Sequence, residues 1–267
     1  MPKEEKLNLY DKLIERVFLK NYRKGAVEVL FGREELTEAA QELGVASPKN
    51  LGDITYSFRY RNDLPTAISS RAPKGLVWII RPAGKSKYRF VAVKQATVLP
   101  RKNLAETKVP NATPGVISLY SLSDEQALLA RLRYNRLIDI FTGVTCYSLQ
   151  NHLRTSVSGI GQIETDEIYV GVDRSGVHYV IPVQAKGGRD TLSVVQIEQD
   201  IQMCNEKFEK LVCRPIGAQF LKDDLIALFE FEMQKGEVRV SLEKHYRLVA
   251  PEELTDEDLL LYRKRLL

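Results

Sequence analysis

Long apolar runs are missing from this chain. No segment approaches the ~18 consecutive apolar residues of a helical membrane span. Cysteine is scarce: Cys146, Cys204 and Cys213 are the three among 267 residues. Their odd number and irregular spacing argue against a disulfide framework and for a reducing compartment. Histidine is equally sparse, and His152, His178 and His245 are scattered, so no Cys/His zinc spacing exists. The opening stretch MPKEEKLNLYDKL is charged and lacks the apolar core of a signal peptide. A cytoplasmic location is therefore expected. The phosphate-loop pattern GxxxxGK[ST] is absent too, which removes the usual nucleotide-driven motors.

What is present is an uneven charge. The net value is only +4. Residues 1–110 hold 21 Lys+Arg against 12 Asp+Glu, a net +9, and the remainder 18 against 23, a net −5. The N-terminal part suits a polyanionic partner. The length suits two domains, with boundaries expected at 1–98, 99–122 and 123–267.

In the N-terminal part, residues 7–24 have helical apolar spacing and 26–31 read as a short strand. Residues 32–44 read as a helix closed by Gly44, and 47–61 as another, capped by Ser47 or Asn50. Two strands, 75–81 and 88–93, flank the basic turn PAGKSK. This order resembles the winged variant of the helix-turn-helix, with residues 34–61 as the two helices and the basic turn as the wing. The resemblance implies double-stranded DNA as partner, gripped by a helix and a hairpin. Lys49, Tyr56, Arg59, Tyr60 and Arg61 are then the candidates on the recognition helix, and Lys85 and Lys87 those on the wing. Tyr56 and Phe58 read equally well as core. Residues 95–123 are proline-rich and aperiodic, and read as a linker.

The C-terminal part reads as one helix over 123–141 with a Ser123/Gln126 capping box, then strands at 159–173 and 176–186 joined by RSG. A helix over 190–210, strands at 211–221, 224–233 and 237–249, and a closing helix from 255 follow. The expected class is α/β (α+β), a mixed sheet flanked by helices.

One stretch stands out. HYVIPVQAK, residues 178–186, is an apolar strand that ends in Gln184 and Lys186 on one face. On the preceding strand, Glu164 and Asp166 share a face by the same period. A hairpin can bring the two pairs together. Two carboxylates and an amide carbonyl are hard donors suited to Mg²⁺. A neighbouring lysine can orient an attacking water or offset charge on a phosphate.

Helix, GQIETDEIYVGVDRSGVHYVIPVQAK, helix, strand resembles the PD-(D/E)XK nuclease superfamily, which includes restriction endonucleases and DNA-repair nucleases. Asp166 matches its first acid and Lys186 its lysine. Gln184 stands where an acid is usual, a variant found in some branches, and Thr165 replaces the usual proline. The resemblance spans roughly residues 123–233. It implies Mg²⁺ held by Asp166, Glu164 and Gln184, and catalysis assisted by Lys186. Glu125 matches an extra acid on the preceding helix, and Gln196 or Gln199 can line the site from the following one. The activity implied is a restriction-type DNA endonuclease acting as a homodimer. A repair or junction nuclease is the alternative within that class, and a non-catalytic DNA-binding regulator the alternative outside it.

Overall fold

The computed structural model describes residues 7–120, 125–188, 190–222 and 224–265, without the Glu125 side chain. The chain divides into two compact units. The first comprises Met1–Val98 with Thr155–Ile163 and Ser193–Val195, and the second comprises the rest. Among the described residues no helix is long and apolar enough to cross a membrane.

The first unit contains α1 (Leu9–Asn21), β1 (Glu28–Gly32), α2 (Arg33–Glu42), α3 (Gly52–Tyr60), α4 (Thr66–Ser69), β2 (Val77–Pro82), β3 (Lys87–Val93) and β4 (Thr97–Val98). Asn8 starts α1 by accepting the Asp11 N–H at 3.0 Å while the Asp11 carboxylate takes the Asn8 N–H. Glu35 reaches back to the Gly32 N–H at 2.8 Å and fixes the start of α2. Strands β1, β3 and β2 form an antiparallel sheet in that order. Its core is aromatic: Phe18 meets Trp78 and Phe90 edge-on, and Phe31 stacks on Tyr88. Leu13, Ile14, Leu36, Ile54 and Ile68 fill the space from the helices.

Helix α3 begins later than the apolar spacing predicts. The Asn50 Oδ1 accepts the Gly52 N–H at 3.1 Å and its amide donates to Asp53 at 2.8 Å, so Asn50 ends the loop and Gly52 opens the helix. Lys49 therefore stands in the exposed loop before α3, not on the helix.

The second unit contains β5 (Glu106–Pro110), α5 (Gly115–Tyr120), α6 (Glu125–Tyr134), α7 (Leu137–Thr142), β6 (Thr145–Val157), β7 (Gly161–Val172), β8 (His178–Lys186), β9 (Leu192–Ser193) and α8 (Val194–Lys207). It continues with β10 (Val212–Cys213), β11 (Ile216–Phe220), β12 (Leu225–Gln234), β13 (Glu237–Val249) and α9 (Asp256–Lys264). An eight-stranded mixed sheet runs β5-β13-β12-β11-β8-β7-β6, with β10 also paired to β8. Strand β8 is central, antiparallel to β7 and parallel to β11. Its Val180, Ile181, Val183 and Ala185 are fully buried, as a strand covered on both faces requires.

Three sequence expectations change here. The single helix over 123–141 is two, because Arg136 adopts the left-handed conformation at φ 52°. Buried Asn135 fixes the break. Its Oδ1 accepts the Ala112 N–H at 2.7 Å, and its amide donates to Thr113 Oγ1 and the Arg131 carbonyl, both at 2.9 Å. The proposed Ser123 cap falls outside the described residues. The stretch read as a linker supplies β5, which pairs in parallel with β13. Strand β6, which the sequence did not announce, lies beside β7 at the far edge of the sheet.

Candidate active site

The β7–β8 hairpin builds the site. Its register runs from Val172 opposite His178 to Glu167 opposite Val183. Beyond that rung a side chain takes over from the backbone: Asp166 Oδ2 accepts the Ala185 N–H at 2.8 Å. The same oxygen lies 3.6 Å from Lys186 Nζ. The Asp166 and Lys186 side chains are 9% and 12% exposed, so this charge pair is largely desolvated and its attraction is strong for its distance. Strand β11 holds the other side of β8, with Gly217 opposite Gln184 and Gln219 opposite Lys186.

Gln184 is buried and fixed at both ends. Its Nε2 donates to Asp200 Oδ2 at 2.9 Å and to the Glu164 carbonyl at 3.3 Å, and its Oε1 accepts from Gln196 Nε2 at 3.3 Å. Asp200 and Gln196 lie four residues apart on α8, hence on one face. Asp200 also accepts from Thr165 Oγ1 at 2.6 Å. Burial pushes the Asp200 carboxyl up to about 7. The Thr165 and Gln184 hydrogen bonds oppose that shift, and the nearby Asp166 charge adds to it.

The structure thus brings Asp166, Gln184 and Lys186 together. It does not bring Glu164. That carboxylate is 37% exposed and points to Arg154, at 3.1 Å from Nε, and to His152, at 3.4 Å from Nδ1. Only its backbone carbonyl reaches Gln184. The expectation of a shared Glu164/Asp166 carboxylate face is corrected accordingly. The Glu164→Ala variant is expected to keep cleavage within about threefold of wild type. The exposed pairing it loses contributes at most about 1 kcal/mol; parallel cleavage assays and a melting curve check both. Glu125 opens α6, but its side chain lies outside the described residues.

Three functional candidates went unread in the sequence. Asp200 orients Gln184. Gln219 is buried, donates to the Lys186 carbonyl at 3.4 Å and the Asp190 carbonyl at 3.0 Å, and leaves its Oε1 without a partner among the described residues. Glu167, fully buried, pairs with Arg133 Nε at 3.0 Å and takes the Ser148 hydroxyl.

For a cation the donors on offer are oxygens. The Asp166 carboxylate and Gln184 Oε1 are hard ligands, and the orphan Oε1 of Gln219 sits one strand from Lys186. This chemistry fits Mg²⁺. Among the described residues no group of three or more His, Cys, Asp or Glu side chains stands ready to hold a metal. A cation here would thus depend on Asp166, the amide oxygen and water.

The first unit carries the other candidate surface. Tyr56 and Tyr60, one turn apart on α3, meet edge-on with centroids 4.8 Å apart. The Arg61 guanidinium lies 5.0 Å from the Tyr56 ring centre and that of Arg59 4.7 Å from Tyr60. Tyr56 is 44% exposed whereas Phe58 belongs to the core, which separates two residues the sequence left ambiguous. Lys85 and Lys87 are exposed at the β2–β3 turn.

No family model matches this chain, and neither a curated protein nor a solved structure matches it.

Proposed function

We propose that the protein is a Mg²⁺-dependent DNA endonuclease of the restriction type, with a winged-helix first unit that engages double-stranded DNA and a PD-(D/E)XK-like second unit that cuts it. The observation that carries this reading is the desolvated pair of Asp166 and Lys186, joined through one carboxylate oxygen at the end of a buried central strand. A structural ion pair needs no such place. Asp166 and Gln184 Oε1 would hold the cation. When bound, Mg²⁺ would supply a Lewis acid for the scissile phosphate. Lys186 offsets the charge that builds on the non-bridging oxygens and orients the attacking water. Gln184 keeps its carbonyl turned away from Asp200 because the Asp200 carboxylate accepts the Nε2 hydrogen bond. On the first unit, the Arg–Tyr pairs of α3 and the lysines of the β2–β3 turn offer groups for base edges and phosphates.

A second reading, a DNA-binding regulator without catalysis, is supported by the diversion of Glu164 to Arg154 and His152. One assay separates the two. Long unmethylated duplex DNA is incubated with the protein in Mg²⁺ and in EDTA. Discrete fragments with Mg²⁺ alone are expected. Intact DNA, retarded on a gel in both buffers, would leave the regulator.

A further inference from the structure

The first unit contains two arginines that the fold leaves without an anion. Arg33 opens α2, and its Nη2 donates to the Tyr88 hydroxyl at 3.2 Å. Arg59 lies on α3 one turn beyond Thr55, on the same face. Burial pushes the Tyr88 phenol up, but a hydrogen bond from Thr55 and the Arg33 and Arg59 charges outweigh it and hold it below its ordinary value. Both guanidinium groups therefore surround one hydroxyl.

Their remaining N–H groups are unsatisfied. Arg33 Nε, Arg59 Nε and Arg59 Nη2 are buried and have no hydrogen-bond partner among the described residues. Neither arginine forms a salt bridge among those residues. Elsewhere the fold does pair its part-buried arginines, Arg214 with Glu230 and Arg133 with Glu167. A buried, unpaired donor costs about 1–3 kcal/mol, more for a charged group, so such groups are normally satisfied. Gly52 leaves room beside Arg33: a Cβ there would stand 3.7 Å from Nη2.

We propose that Arg33 and Arg59, grouped around Tyr88, form a phosphate-binding site. Both side chains are partly exposed, so each can turn its fork outward to an arriving oxyanion. The guanidinium fork matches phosphate geometry in two parallel hydrogen bonds. Phosphate is favoured over carboxylate by the surroundings, a +9 segment with exposed Lys85 and Lys87 nearby in the chain. The phosphate can belong to a nucleic-acid backbone or to a free small ligand. The proposal stands whether or not the second unit cuts DNA.

The test uses the full chain in EDTA, so that cleavage plays no part. Thermal unfolding is followed in chloride and in inorganic phosphate at matched ionic strength. Duplex binding is measured across a salt series. Wild type is expected to melt higher in phosphate, and the Arg33→Gln/Arg59→Gln double variant is not. For a backbone site, the slope of log affinity against log salt becomes shallower by about two in that variant, close to one per lost phosphate contact. Loss of the phosphate effect with an unchanged slope would keep the site and assign it to a free phosphate. Equal stabilisation of both proteins by phosphate, or none of either with an unchanged slope, overturns the proposal. If the double variant does not fold by circular dichroism, Arg33→Lys/Arg59→Lys carries the test. It keeps the charge and loses the fork, so phosphate stabilisation should weaken without vanishing. Full retention in that variant would refute the fork geometry.

Discussion

The Lys186→Ala variant is expected to lose about 10²–10⁴-fold in Mg²⁺-dependent cleavage while binding duplex DNA as wild type does. The reason lies in geometry rather than in charge counting. Lys186 Nζ stands 3.6 Å from the Asp166 oxygen that also holds the Ala185 N–H. Removing the ammonium leaves Asp166 anchored by the backbone, so the carboxylate stays in place and the ligand set survives. What disappears is the group that meets the phosphate. A structural role makes a different prediction: a buried carboxylate deprived of its cation would lower the melting point, and activity would fall only in step with the folded fraction. Single-turnover cleavage, gel retardation in EDTA and a melting curve on the same preparation distinguish the two. Full cleavage by the variant would falsify the assignment of Lys186.

The parts of this architecture that bury much apolar surface were legible in the sequence. The β7–β8 hairpin is within two residues of its expected bounds at three of its four ends, because its period-two pattern and the RSG turn are strong local signals. The two strands that escaped, β5 and β6, end the sheet on either side. An edge strand buries little and so carries a weak pattern: most of β6 is exposed, and β5 hides among prolines. That omission also explains the misplaced Glu164. Period two alone puts its carboxylate beside Asp166, but Arg154 and His152 on β6 capture it. Asp200 was hidden for another reason. An acid in an amphipathic helix is ordinarily assigned to the solvent face. Here its spacing from Ile197, Met203 and Cys204, all buried, was the signal that it faces inward.

Asp200 gives the second large effect, and it is a pH effect. In the unfolded chain its carboxyl titrates at the model value of 3.8, and in the fold at about 7, chiefly through burial. Between those values the folded state binds more protons than the unfolded one. Stability conferred by Asp200 is therefore full at about pH 4, falls as pH rises to about 7, and stays low above it. At ~1.4 kcal/mol per unit the upper limit of the loss is roughly 4 kcal/mol. Asp200→Asn should flatten that fall and melt above wild type at pH 8. Function should move the other way. Only the ionised carboxylate is obliged to accept at both oxygens, from Thr165 and from Gln184 Nε2, and so to keep Gln184 Oε1 free for a cation. The asparagine can donate instead and permits the Gln184 amide to turn over. Wild-type cleavage should accordingly rise through about pH 7 with the loss of one proton, and the variant should be slower at pH 8, with that step absent from its profile. Paired pH–rate and pH–stability curves measure both. Parallel profiles for the two proteins would mean that Asp200 does not set the orientation of Gln184, and that its burial serves the fold alone.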